Sequence, residues 1–423
     1  MDCRALNAAL TLKLDKMILE PSQSLEVRVG QLFELDEKPD GKAKLRVALF
    51  ATRADEKDEP LRVLQELDSN VPNQFSPKLY TVASTVPELP DGNYRLEIRL
   101  RFGEGEPIAK STTVRIERGL ATRADAAKAR AAKIEANLES TKSEPLLSAL
   151  ACSEYQARLV DLANAGEITF DRLNFNAALK TAAEIMDSVE AGQDPFSHRR
   201  GDFKKAYHST VDNTYQPYRV FVPTNYDSSK AYPLVILLHG MGGNEDSYFD
   251  GYASGAIKKE AQQRGYILAC PKGRDSASMY TGSAEQDVLD VMTEIQRTYR
   301  IDSDRVYMSG HSMGGYGTWS VAINHPDIFA AAAPISGGGN ILDVPKATRV
   351  PMLVVHGDDD RTVPVIRSRE MVAAAKKAGA EIKYIEVPGG SHGGVVVPTF
   401  KDVFDWFDTH KRSKPLNNVK PEA

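Results

Sequence analysis

The run Val306-Tyr307-Met308-Ser309-Gly310-His311-Ser312-Met313-Gly314-Gly315 constrains this chain more than any other stretch. An apolar, strand-compatible segment enters it, and a glycine-rich, helix-compatible segment leaves it. Between them lies Gly310-x-Ser312-x-Gly314, which reads as a serine at the apex of a tight strand-to-helix turn. Such a turn closes only when the residues flanking the serine are almost free of side chain. It lifts the hydroxyl above the strand ends and points the positive N-terminus of the next helix toward it. The rest of the chain has to supply a sheet in which that strand can end.

A length of 423 residues suggests about two or three domains. With 42% hydrophobic and 26% charged residues, the composition allows a sizeable buried core in a globular protein. The net charge of −5 gives no reason to expect nucleic acid or an anionic membrane as partner. Cys3, Cys152 and Cys270 are odd in number and widely spaced, which fits neither a disulfide framework nor a metal site. No apolar run is long enough for a transmembrane helix. No basic segment followed by an apolar core opens the chain, so a secreted or periplasmic location would require a leader already removed, and the compartment stays open.

Residues 10–118 read as all-β. Leu10-Thr11-Leu12-Lys13-Leu14, Leu25-Glu26-Val27-Arg28-Val29, Lys44-Leu45-Arg46-Val47-Ala48-Leu49 and Tyr94-Arg95-Leu96-Glu97-Ile98-Arg99-Leu100 alternate with period two. Pro39-Asp40-Gly41, Pro90-Asp91-Gly92-Asn93 and Gly103-Glu104-Gly105 punctuate them as turns. Roughly seven strands in that length suggest an immunoglobulin-like sandwich. Both tryptophans, Trp319 and Trp406, lie outside it, so a supporting or assembly role, including homo-oligomerisation, is favoured over sugar binding. Residues 119–195, rich in alanine, glutamate and lysine, read as a connector of two or three helices that stops at Gly192. From 200 to 412, strands and helices alternate, which signals an α/β domain with a mainly parallel sheet.

A serine hydroxyl is a weak nucleophile at neutral pH and needs a nearby base, itself oriented by a third group. Two segments downstream of Ser312 offer these groups at strand ends: His356-Gly357-Asp358-Asp359-Asp360-Arg361-Thr362-Val363-Pro364 and Pro388-Gly389-Gly390-Ser391-His392-Gly393. The Asp run lacks the spacing and distal glutamate of a calcium loop, and Asp359 reads as a solvated charge. Either Asp358 or Asp360 can then serve as the acid. Among the eight histidines, His392 alone follows the last strand in a glycine-flanked loop. His311 lies inside the turn and should point away from the serine; His239 and His356 read as loop braces at strand ends. Amide donors for an oxyanion are expected at Met313, next to the serine, and at Met241 in His239-Gly240-Met241-Gly242-Gly243. Tyr280 is a candidate pocket-lining residue, and Trp319 reads as core. This chemistry requires no metal and no organic cofactor.

The segment from Tyr232 to Gly243, the motif Gly-His-Ser-Met-Gly-Gly and the late Asp360 and His392 together resemble the esterase branch of the α/β-hydrolases. That branch includes feruloyl and acetyl xylan esterases and polyhydroxybutyrate-depolymerase-like proteins. The resemblance covers about half the chain, and a sandwich ahead of such a domain is similar to bacterial esterases with an N-terminal immunoglobulin-like domain. Asp360 fills the acid position of the H-G-x-x-D-x-x-V-P loop of such esterases, so the resemblance implies a Ser312-His392-Asp360 triad and a covalent acyl-enzyme. It also implies a small-molecule or polysaccharide-linked ester as substrate. Fewer than twenty residues separate the strand at 330–334 from the one at Met352, too few for a cap domain, so an open site is expected. A prolyl-oligopeptidase-like peptidase is the alternative, and a non-catalytic binding module is disfavoured by the intact triad.

Overall fold

The computed structural model describes residues 10–31, 43–51, 62–71, 80–102, 106–139, 143–171 and 173–412. Cys3 and the turns expected at 39–41 and 103–105 lie outside these residues. The chain divides into two compact units, one of residues 1–130 with 156–183 and one of 131–155 with 184–423.

Among the described residues of the first unit eight strands form, β1 (Leu10–Leu14), β2 (Ile18–Leu19), β3 (Ser24–Gln31), β4 (Ala43–Ala51), β5 (Arg62–Val71), β6 (Tyr80–Thr85), β7 (Gly92–Phe102) and β8 (Ile108–Ile116). They make a three-stranded sheet in the order β1-β3-β6 and a five-stranded sheet in the order β2-β8-β7-β4-β5. Alternation explains the core: Leu25, Val27 and Val29 from one sheet pack in a single cluster with Leu45, Val47, Leu49, Leu96, Ile98 and Leu100 from the other. Polar partners alternate with them on the outer faces, as a two-layer sandwich requires. The turn at 90–93 leads into β7, where the Tyr94 hydroxyl donates back to the Pro90 carbonyl at 2.6 Å. At least one strand beyond the seven expected is the two-residue β2, too short to show a period.

The stretch expected as a connector does form three helices, α1 (Leu120–Glu139), α2 (Glu144–Asn164) and α3 (Phe175–Glu190). Asn174 caps α3 by accepting the Ala177 amide at 3.0 Å, and Gly192, at φ 73°, closes it. These helices are not a separate third body, because the unit boundaries fall inside all three.

The second unit is built on an eight-stranded sheet of β9 (Gly201–His208), β10 (Tyr215–Val222), β11 (Tyr232–Leu238), β12 (Ile267–Pro271), β13 (Ile301–His311), β14 (Ala331–Ile335), β15 (Met352–Gly357) and β16 (Ile382–Val387). Its order is β9-β10-β12-β11-β13-β14-β15-β16. β9, β10 and β12 pair antiparallel; β12, β11 and the strands through β16 pair parallel. The central strands carry buried, mostly apolar runs, Leu234 to Leu238 among them, because helices cover both faces. Those helices are α4 (Ile257–Arg264), α5 (Ser283–Thr298), α6 (Met313–Asn324), α7 (Ile366–Lys377) and α8 (Phe400–Asp408). α6 carries three glycines that weaken it as a free helix. They let it press against the sheet: a Cβ on Gly314 would lie 1.9 Å from the Leu238 carbonyl oxygen. Trp319 packs in this core as expected, 1% exposed.

Candidate active site

Parallel strands bring their carboxyl ends to one edge, where ligand sites of such sheets form. Ser312 follows β13 directly and precedes the first residue of α6, with φ 58° and ψ −119°. That backbone is strained for a residue with a side chain, at a cost of about 1–3 kcal/mol that the surrounding fold must hold in place. The Ser312 amide donates to the Ile335 carbonyl at 2.9 Å, tying the turn to the end of β14.

The acid loop follows β15. Asp360 Oδ1 accepts the amides of Thr362 and Val363, both at 2.9 Å. Its Oδ2 lies 2.7 Å from His392 Nδ1, and its side chain is fully buried. Burial alone would push this carboxyl up, but His392 and the two amides outweigh it and hold it below the usual carboxylate range. Asp358 takes another place: its Oδ1 accepts the Gly389 amide at 2.6 Å on the exposed side of the loop. Asp359 is exposed beside Arg361. Of the two acids left open by spacing, Asp360 is the one that meets the histidine.

His392 is tied to the serine turn through its own backbone. His311, buried between Gly310 and Ser312, places Nε2 2.9 Å from the His392 carbonyl, and the two rings lie 4.6 Å apart. A carbonyl only accepts, so Nε2 carries the proton and Nδ1 accepts from the Tyr252 hydroxyl at 2.7 Å. Burial first, then the neighbouring His392, lowers the His311 pKa to about 4. The Ser336 hydroxyl donates to the same carbonyl at 3.3 Å. The side chain of His392 keeps 20% of its surface exposed.

The loop after β11 passes beside the serine: a Cβ on Gly240 would touch the Ser312 Cβ at 3.4 Å. Met241, on this loop, has its side chain turned to solvent, 66% exposed. Met313 is buried as the first residue of α6, whose leading amides have no intrahelical acceptor. The loop is braced from 272–282. His239 Nε2 meets the Lys272 carbonyl at 2.7 Å, and the Gly242 amide donates to Ser276 at 2.8 Å. The His239 amide donates to the Tyr280 hydroxyl at 2.9 Å.

Tyr280 therefore needs correction as a pocket-lining residue. It is fully buried, its ring against Gly273 and Gly317 and its hydroxyl on the backbone of His239. A tyrosine in a polar loop reads as exposed from sequence; positive φ at Met279 and Tyr280 turns this one inward. His311, Ser336 and Tyr252 are the contributors that pattern reading missed. Only the place of His311 inside the turn hinted at a role. Among the described residues no cluster of His, Cys, Asp or Glu is arranged to hold a metal ion.

A serine on a strained turn after the fifth strand of this sheet order, with a paired acid and histidine after later strands, defines an α/β-hydrolase domain. Residues 210–361 match the family described as "Putative esterase", and 339–413 match the prolyl oligopeptidase family. Over residues 210–361 the chain is therefore similar to that esterase family. It is 32% identical over 145 residues to a bifunctional acetylxylan esterase/xylanase of Neocallimastix patriciarum, covering 33% of this chain and 21% of that protein. It is 33% identical over 129 residues to feruloyl esterase B of Talaromyces stipitatus, covering 28% of this chain and 35% of the relative. The chain thus spans about a fifth to a third of these relatives. A solved thermostable esterase aligns over 96% of this chain and all of its own, at 17% identity and a TM-score of 0.46.

Proposed function

We propose that this protein is a serine carboxylic-ester hydrolase that acts on short-acyl, acetyl or feruloyl esters of carbohydrate. One observation carries the reading: Asp360 holds His392 at 2.7 Å, while His392 is anchored through its carbonyl to His311, the neighbour of Ser312. Ser312 attacks the ester carbonyl as His392 takes its proton. The tetrahedral oxyanion is held by the Met241 and Met313 amides. His392 then protonates the leaving alcohol, and a water activated by the same ring releases the acid. Asp360 keeps the Nδ1–H tautomer and stabilises the imidazolium.

The names of the feruloyl and acetylxylan esterase relatives support the carbohydrate-ester class. So does the segment between β14 and β15, which holds one short 3-10 helix, Val344–Ala347, and no cap domain. An open site suits a bulky or polymeric ester. The prolyl-oligopeptidase match over 339–413 keeps a peptidase as the second reading.

For the first unit we infer an immunoglobulin-like sandwich. Its Greek-key strand order and the Tyr94 hydroxyl bound back to Pro90 at the start of β7 support this. Its proposed role is assembly or support, including self-association, which light scattering of the full chain reads directly.

The deciding experiment compares wild type and Ser312→Ala on p-nitrophenyl acetate to octanoate, methyl ferulate, acetylated xylan and a prolyl peptide. Ester turnover that falls by about 10⁴–10⁶ in the variant is the expected result. Peptide cleavage without ester turnover would move the assignment to the second reading, and equal activity in both proteins would end it.

A further inference from the structure

We infer that Tyr252 is a positioning residue for the catalytic histidine, acting through His311 to hold the backbone of His392 beside the serine turn. The inference rests on the triad proposed above and adds a group from a part of the fold that carries none of its members. Tyr252 lies between β11 and α4 on two short helical turns, Ser247–Gly251 and Tyr252–Ser254. Tyr248 and Phe249 sink those turns into the core, both fully buried. Lys258 of α4 ties them down, its Nζ donating to the Phe249 carbonyl at 2.9 Å and to Asp202 Oδ2 at 2.7 Å. Just past the tyrosine, Ala253 and Ser254 take positive φ, 46° and 53°. Residues with a side chain adopt that backbone only where their surroundings impose it. The bend delivers one hydroxyl to one ring nitrogen: Tyr252 Oη lies 2.7 Å from His311 Nδ1, the two rings edge to face at 5.7 Å.

The ring of His311 passes that contact on, since its Nε2 donates to the His392 carbonyl at 2.9 Å. A bond at one nitrogen leaves an imidazole free to swing about its side-chain torsions; a second bond at the other nitrogen fixes its plane. A donor on Nδ1 also polarises the ring and strengthens the N–H on its far side. The Ser336 hydroxyl reaches the same carbonyl at 3.3 Å, a longer bond that leaves His311 the closer anchor. His392 works through its ring, whose Nδ1 is held 2.7 Å from Asp360 Oδ2, so a shift of its backbone moves the other ring nitrogen relative to the serine hydroxyl. Proton transfer depends steeply on that distance, and a misplacement of about 1 Å costs on the order of 10² in rate. Tyr252 touches none of the groups that bind the ester, so its loss falls on kcat and spares KM.

A double-mutant cycle tests the route. Tyr252→Phe removes the hydroxyl and keeps the ring; His311→Phe removes the relay and keeps an aromatic ring in its place. In the wild-type background Tyr252→Phe should lower kcat by roughly tenfold and leave KM within about twofold. In the His311→Phe background the same change should cost less than about twofold, because the hydroxyl then has no ring nitrogen to hold. Wild-type kcat in Tyr252→Phe overturns the inference, and so does an equal loss in both backgrounds. Should the variants not fold, the wild-type protein labelled with ¹⁵N-histidine still decides it. His311 must carry its proton on Nε2 and show an Nδ1 that accepts a hydrogen bond; a proton on Nδ1 overturns the inference. Wild type inactive on every ester defeats the esterase reading instead, and the labelled spectrum then still tests the Tyr252–His311–His392 contacts without substrate.

Discussion

Changing Tyr280 to Phe removes one oxygen and leaves the ring in its place between Gly273 and Gly317. That oxygen accepts the His239 amide at 2.9 Å, and both residues are fully buried, so water cannot replace it. An orphaned buried N–H costs about 1–3 kcal/mol. If the loop at 239–243 holds its place, the cost appears as stability, about 2–4 °C of Tm for each kcal/mol in a domain of this size. If the loop shifts to satisfy its amide, the Met241 N–H moves away from the place proposed for it at the oxyanion, and losing one such donor costs roughly 10²–10³ in kcat. Steady-state kinetics on the best ester, beside a melting curve, reads both. The expected outcome is a kcat reduced at least about tenfold, a KM close to wild type and a Tm lower by several degrees. Wild-type kcat together with a wild-type Tm in Tyr280→Phe would refute the reasoning, since the hydroxyl would then not be what holds the loop at 239–243.

Two further outcomes follow from the same geometry. Asp360→Asn should lower kcat by about 10⁴, by removing the charge that fixes the His392 tautomer, while Asp358→Asn, which keeps an oxygen to accept the exposed Gly389 amide, should cost less than about tenfold. Parallel kinetics on both variants check the choice of acid. His311, with its pKa lowered from 6.5 to about 4, stays neutral in the fold while the unfolded chain takes a proton. Its contribution is therefore complete above pH 6.5 and is lost as the pH falls toward about 4, a change of about 3 kcal/mol. Melting curves should show a shallower acid loss in His311→Asn than in wild type, and parallel curves would contradict this.

Sequence pattern reached the catalytic unit because its strands and motifs are local. β16 was legible over 382–387 as a strand ending at a glycine-rich loop, and the serine turn announced itself through three glycines. β9 went unread, since Gly201-Asp202-Phe203-Lys204-Lys205 mixes charges into a strand whose Lys205 is buried, a placement that only its distant partners explain. The choice between Asp358 and Asp360 was out of reach of spacing, because a two-residue step reverses which side of a loop faces the histidine. Tyr280 shows the same limit: its inward turn depends on backbone angles that composition does not record.

The three helices shared between the units bear on how such chains can be inherited. The hydrolase unit includes residues 131–155, well ahead of the first strand of its sheet. From there Ser148 meets Lys205 of β9 at 3.3 Å and also donates to Glu294 of α5. A recombination breakpoint near residue 200 would strip the buried ammonium of one of its partners. A gene fusion that swaps the sandwich would keep a working hydrolase only by retaining the return stretch of helix, so exchange of whole modules here is interleaved, and the helices travel with both.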